Sequence, residues 1–366
     1  MIGMIIGVGL FGLPYVIAKS GALIGLIYFL ILSAIIISNH LIYGETLLRT
    51  KIKCRLAGLA NLYLGKWWKR FAVVASTLGF YAVIVAYIIL GGQFLHILLS
   101  PFFGGAVLIY QVIFFFVMAF IILIGIKTIV FSEMLMTGAL LLVMAFLTVL
   151  AATKTNLSNF LNFNIGEFFA PYGVILFSIT GAAAVPEVLE IMSRNKKDAK
   201  KAIFWGSVIP IALIALFAFA ILGATGGNTT QDAISGLGTI FGGWVLYLGA
   251  FFGLFAVATS FLPLVLYSKE QFHLDFKING YLSWFLACGV PFLIFLLGTK
   301  DFIKIISFSG AVFSGFEAFL VIWIYARARK MGERKPEYEV RLPLAFLIFM
   351  GVVFLLGMIY EVSSFF

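Results

Sequence analysis

Gly7-Val8-Gly9-Leu10-Phe11-Gly12-Leu13-Pro14 stands in the middle of the first apolar segment of a 366-residue chain. Three glycines and a proline within eight residues are poor material for a continuous transmembrane helix. Glycine weakens the ladder and proline removes a donor from it, so the stretch predicts a helix break. In hydrocarbon an unpaired backbone group is prohibitive, and a break at membrane depth survives only where it lines a cavity or is buried in protein. Working outward, the sixth apolar segment reads Phe177-Ser178-Ile179-Thr180-Gly181-Ala182-Ala183-Ala184-Val185-Pro186-Glu187. Gly181 precedes Pro186 by five residues as Gly9 precedes Pro14, and both pairs are offset by 172 positions (181 − 9 and 186 − 14). Two interrupted spans at matching places in two halves point to the midplane site of an inverted-repeat transporter.

The composition agrees. With 63% hydrophobic and 11% charged residues and a mean hydropathy of +1.14, the chain lies beyond the range of soluble globular domains and reads as an all-α polytopic membrane protein. Apolar runs of about 20 residues, enough to cross a bilayer, fall at 2–18, 24–48, 71–99, 105–126, 132–152, 168–192, 202–223, 238–267, 280–298, 302–326 and 342–362. These are eleven expected transmembrane helices. Residues 1–152 hold spans 1–5 and residues 168–326 hold spans 6–10, the two inverted repeats, with 342–362 as an additional span 11. With the N-terminus in the cytoplasm the inner loops carry 21 Lys and Arg, against four outside (Lys19, Lys154, Lys300 and Lys304). This bias places the protein in the cell membrane with the C-terminus outside. Orientation and anionic lipid account for the net charge of +10, which removes nucleic acid as a partner.

Between 49 and 70, Leu56, Leu59, Leu62 and Leu64 stand against Lys66, Trp67, Trp68 and Lys69, the pattern of a short interfacial helix. Asn156-Leu157-Ser158 and Asn228-Thr229-Thr230 fit glycosylation acceptors. Six residues precede Gly7, whereas a half-helix reaching the midplane needs about ten at roughly 1.5 Å each; a further segment upstream of Met1 is therefore expected. Cys54 and Cys288 imply no disulfide framework.

Enzyme signatures are missing. His40, His96 and His273 lie far apart in the sequence without an HExxH pattern, and neither a G-x-S-x-G elbow nor a P-loop occurs. The first stretch fits G-x-G-x-x-G, but no strand precedes it and no βαβ unit can form in this apolar setting. The chemistry has to come from the breaks. At the start of a second half-helix, backbone N–H groups and the positive end of the dipole attract carboxylates, here at Gly7, Val8, Gly9 and Leu10. The first half of the sixth span ends in carbonyls at Phe177, Ser178 and Thr180, beside Gly181, which suit an ammonium group. An anion site facing a cation site describes a zwitterion. Gly181, Ala182, Ala183 and Ala184 leave room for a larger apolar or aromatic side chain.

These motifs, with Val185-Pro186-Glu187 and with Tyr81 to Tyr87 of the third span, resemble the amino acid/auxin permease and aromatic amino acid permease families. Both belong to the amino acid–polyamine–organocation superfamily, whose leucine-transporter fold has spans 1–5 and 6–10 as inverted repeats. The resemblance covers essentially the whole chain. It implies a substrate amino acid between spans 1, 3, 6 and 8, with Tyr81 or Tyr87 closing the pocket with its hydroxyl or serving as packing aromatics.

Span 8 contains Ala256-Val257-Ala258-Thr259-Ser260. A carbonyl at Ala256 and hydroxyls at Thr259 and Ser260 share one helix face and suit a hard cation such as Na⁺. The resemblance adds the carbonyls of Gly3 and Ile6. Such hydroxyls also bond back to carbonyls of the preceding turn, so two readings stand. Some proton-coupled relatives carry a lysine in span 5, whereas 134–152 contains no Lys, Arg or His. The alternative to Na⁺ is a proton on an intramembrane acid, with Glu187 and Glu317 as candidates; Glu45 is expected to tie helices together. The sequence thus reads as a symporter for neutral, apolar or aromatic amino acids, driven by Na⁺ or H⁺ and with no other cofactor. Its alternative is a sensor that binds an amino acid without net transport. Oligomeric state is unspecified.

Overall fold

In a computed structural model, which describes residues 1–52, 54–124, 129–192, 196–270, 272–273, 277–298 and 300–365, every regular element is helical. Lys53, Lys127 and Arg194, which enter the orientation argument, lie outside the described residues. The first pass is broken into α1 (Ile2–Ile5) and α2 (Gly9–Ser20). After it come α3 (Ala22–Arg49), the short α4 (Leu56–Leu64), α5 (Lys66–Phe103), α6 (Val107–Ile124) and α7 (Ile129–Ala152). The sixth pass is broken again, into α8 (Ala170–Ile179) and α9 (Ala184–Ile191). It is followed by α10 (Ala199–Thr225), the short α11 (Ile234–Phe241) and α12 (Gly243–Glu270). The ninth pass joins α13 (Gly280–Trp284) to α14 (Val290–Leu297) through a π-helical turn at Phe285–Gly289. The tenth joins α15 (Phe302–Phe308) to α16 (Gly315–Met331) through another at Ser309–Ser314. α17 (Leu344–Phe365) is the eleventh.

Among the described residues, nine of these passes are helices long and apolar enough to cross a membrane. The broken first pass and the fifth, apolar over Thr137–Ala152, complete the set. Helices satisfy their own backbone in lipid, the reason that they are the elements here. The outer surface follows suit: Leu30, Phe116, Leu142, Val149, Leu216 and Ile359 are exposed on their helices, where a soluble protein would place charge.

The apolar run expected at 238–267 straddles two elements. Gly242, at φ +90°, ends α11 and turns the chain directly into α12. Gly65, at φ +101°, does the same between α4 and α5. Only glycine enters this region without a Cβ penalty. The interfacial helix expected within 49–70 is α4, with Trp67 exposed at the start of α5.

The inner end of α3 is bound to the segment preceding α17. Glu45, fully buried, accepts from Arg49 Nε at 2.8 Å and from the Val340 N–H at 2.5 Å. Arg49 reaches Glu339 at 3.2 Å, and the Tyr338 hydroxyl donates to the Leu41 carbonyl at 2.8 Å. These bonds fully occupy the Glu45 carboxylate and give it a structural role.

Candidate functional site

The first break is a turn of the chain's own backbone. Ile6 sits at φ −80°, ψ 87°, and the Gly7 N–H donates back to the Ile5 carbonyl at 3.0 Å, which is an inverse γ-turn. The helix then resumes through Leu10 N–H to Gly7 O at 3.3 Å and Phe11 N–H to Val8 O at 3.2 Å. Among the described residues the N–H groups of Val8 and Gly9 take no backbone partner, whereas those of Gly7 and Leu10 are engaged. The break is narrower than the stretch that predicts it, because Gly9, Gly12 and Pro14 all lie inside α2. Pro14 removes one ladder bond, which a membrane helix tolerates. The glycines serve close approach instead. A Cβ on Gly9 would lie 2.4 Å from Ser178 Oγ, and one on Gly12 would lie 2.8 Å from Ile306 Cδ1 of α15.

The second break borrows a partner from elsewhere. α8 ends at Ile179 and Thr180 is extended, at φ −75°, ψ 130°. The Gly181 N–H, whose helical acceptor would be the Phe177 carbonyl, donates to Nε2 of His40 at 3.2 Å. The chain re-enters a helix through Ala184 N–H to Gly181 O at 3.0 Å and Val185 N–H to Ala182 O at 3.1 Å. Ser178 and Thr180 turn their hydroxyls back onto the carbonyls of Val174 and Leu176, both at 2.7 Å. The main chain is therefore what this break offers. The two breaks touch: Gly9 packs on Phe177 and Ser178, and a Cβ on Gly181 would meet Ile5 Cγ1 at 2.4 Å. Gly9 is thus brought against Phe177 and Ser178, and Gly181 against Ile5, one residue before the first break.

Of the two tyrosines of α5, the described contacts bring Tyr87 to a break. A Cβ on Gly7 would lie 3.9 Å from its hydroxyl oxygen. Ser260 of α12 adjoins that hydroxyl, and the Phe261 ring lies 6.4 Å from the Tyr87 ring. Tyr81 is buried on the same helix, with no described contact to either break. The span 8 oxygens are divided. Thr259 Oγ1 donates to the Ala256 carbonyl at 3.1 Å. Both residues line a cavity of about 320 Å³ shared with Ala139, Leu140, Phe251 and Phe252. Ser260 does not line it. A Cβ on Gly3 would lie 3.1 Å from Thr137 Oγ1 of α7, and no described contact joins Gly3 or Ile6 to Ala256, Thr259 or Ser260. Neutral oxygens of this kind suit Na⁺, but only Ala256 and Thr259 converge.

Glu317, three residues past the π-helical turn of the tenth pass, accepts from Ser76 Oγ of α5 at 2.5 Å. Glu187 is exposed on α9. The residue missed by sequence reasoning is His40, set aside for want of a metal partner. Its signal was present, since an ionisable side chain inside an apolar span is a functional hypothesis by default.

Residues 1–362 match the model of the tryptophan/tyrosine permease family. The chain is 25% identical over 377 aligned residues to the tyrosine-specific transport system 1 of Haemophilus influenzae, covering 96% of this chain and 92% of that protein. It is 22% identical over 383 aligned residues to glutamine transporter 2 of Aliivibrio fischeri, covering 99% and 96%. The fold is similar to that of MhsT in its crystal structure with L-phenylalanine, with a TM-score of 0.66 and 15% identity over 100% of this chain and 97% of the other.

Proposed function

The chain belongs to the tryptophan/tyrosine permease family, and from its paired helix breaks we propose that it imports a neutral amino acid, apolar or aromatic, by symport with a cation, Na⁺ or H⁺. It is a membrane-embedded carrier for amino acids and not an enzyme. The observation that carries the proposal is the contact between the breaks: Gly9 of the first, whose N–H like that of Val8 takes no backbone partner, packs on Phe177 and Ser178 of the second, where the Gly181 N–H has left its helical acceptor, the Phe177 carbonyl. The first set takes the substrate carboxylate and the second its ammonium group, with the Tyr87 hydroxyl beside them. The transport of tyrosine and of glutamine by the two relatives, and the phenylalanine bound to MhsT, support a neutral substrate.

Residues 1–152 and 168–326 act in this reading as inverted repeats. The short helices α4 and α11, each ended by a left-handed glycine, occupy equivalent places after the second and seventh passes; alternating passes put them on opposite faces. The N-terminus lies in the cytoplasm and the C-terminus outside, following the basic bias. Na⁺, where it drives transport, sits at Ala256 and Thr259, with Ser260, Gly3 and Ile6 drawn in as the carrier closes. A proton uses Glu187 or Glu317.

Uptake of radiolabelled tyrosine, phenylalanine and glutamine into proteoliposomes, with a Na⁺ gradient and separately a proton gradient, tests this. Accumulation under Na⁺ that Thr259→Ala with Ser260→Ala abolishes supports the sodium site. Accumulation only under a proton gradient moves the role to the acids. Binding without accumulation under either gradient identifies a sensor and overturns the transport reading.

A further inference from the structure

We propose that His40 is the positioning residue of the sixth-pass break: as a neutral imidazole protonated at Nδ1, it takes the Gly181 N–H and so frees the Phe177 carbonyl for the substrate's ammonium group. The inference rests on the transport reading above for its ligand, but its geometry stands alone. Ser207 of α10 donates its hydroxyl proton to the Ile203 carbonyl at 2.8 Å. The same oxygen lies 2.9 Å from His40 Nδ1, so with its proton already given away it can only accept there. Nδ1 therefore carries the hydrogen, and Nε2 is left bare as the acceptor that Gly181 meets at 3.2 Å.

One ring thus ties three passes: α3, which holds it, α10 through Ser207, and the gap between α8 and α9 through Gly181. His40 and Ser207 are both fully buried, and a partner lost at such a site is costly. Without the ring, the Gly181 N–H either stays unpaired or swings to its ordinary helical acceptor, the Phe177 carbonyl. The second course winds the helix on and removes the group proposed to bind substrate. The break is in this sense written in α3 and α10, not in the sequence around Gly181.

The test compares His40→Met, which keeps volume but offers no comparable acceptor, with His40→Gln, whose amide oxygen reaches the Nε2 position. Ser207→Ala, the third variant, releases the constraint on the ring's tautomer. Two readouts are taken on the full chain in detergent: the Kd for L-phenylalanine and L-tyrosine, and hydrogen–deuterium exchange across residues 177–184. His40→Met is expected to weaken binding on the order of tenfold or more and to change exchange in the segment. His40→Gln should recover most of the affinity, and Ser207→Ala should fall between. Wild-type affinity and exchange in His40→Met, or no recovery in His40→Gln, overturns the proposal. Should His40→Met fail to fold, Ser207→Ala behaving as wild type in both readouts overturns it equally. If the wild type binds no neutral amino acid, the transport reading fails, while exchange at 177–184 still decides the role of His40.

Discussion

The two breaks do the same thing by different means. The first is closed within its own chain, by a γ-turn from Gly7 to Ile5 around Ile6, and it presents N–H groups. The second is held open by a side chain 141 residues away in sequence, and it presents carbonyls. A local turn needs only local residues, so the first break is insensitive to how the other passes pack. An imported acceptor depends on the position of α3 and α10, so the second break changes when those helices move. If the carrier works by alternating access, the sixth pass is the one whose backbone reports on the state of its neighbours.

Several substitutions can break or sharpen this contrast. The largest effect is expected from Gly9→Val. Its Cβ would fall 2.4 Å from Ser178 Oγ and 3.0 Å from the Ser178 Cα, and backbone cannot step aside as a side chain end can. Overpacking of this kind costs about 1–3 kcal/mol, or roughly tenfold to hundredfold in affinity; uptake of labelled tyrosine should fall to near background in a protein that still inserts. Wild-type uptake would show that the breaks need not touch.

Gly181→Ala should cost roughly tenfold in apparent affinity, because its Cβ meets Ile5 Cγ1 at 2.4 Å. Here the obstacle is a side chain of the first break, so Ile5→Ala should restore much of the loss. Failure of the double variant to recover would place the damage in the backbone at 181 and not in the contact between breaks.

Glu45→Ala sets a control away from both breaks. It strands the buried Val340 N–H and removes one of the two carboxylate partners of Arg49, at a cost of about 1–3 kcal/mol. A thermal-shift assay should show lowered stability with substrate Kd unchanged. A changed Kd at unchanged Tm would instead make this carboxylate part of the transport cycle. The smallest effect belongs to Tyr87→Phe, which loses the hydroxyl near Gly7. A neutral hydrogen bond is worth about 0.5–1.5 kcal/mol, so the KM should rise a few-fold. The matching Tyr81→Phe should leave KM unchanged, and the reverse result would exchange the two tyrosines.

Much of this molecule can be read before any coordinates. Hydrophobic runs of sufficient length give the passes because lipid leaves the backbone no other partner, and the matched glycine–proline pairs in the first and sixth of them point to both breaks. Family membership follows over residues 1–362. The sequence is less informative about where within a stretch the helix parts. Gly9, Gly12 and Pro14 look like the cause of the break, yet they sit in a continuous helix, because glycine serves close packing as readily as unwinding and the chain alone does not say which. The run at 238–267 likewise hides the left-handed turn at Gly242, since its glycines are spread through an apolar pattern that runs straight through and most of them sit inside helices.

What the sequence determined by itself is what depends on neighbours along the chain: the number of passes and the stretches of the first and sixth in which an interruption can form. Tertiary structure alone decided which atoms the interruptions expose. Ser260 could have joined Ala256 and Thr259 on the face that their spacing gives them, but the cavity that those two line does not include it. His40, an isolated histidine in sequence, sets the sixth break because α3, α8 and α10 bring its ring between Gly181 and Ser207. Helical periodicity fixes which residues share a face, whereas the partner of a buried polar group is fixed by the helix packed opposite, and that helix lies anywhere in the chain.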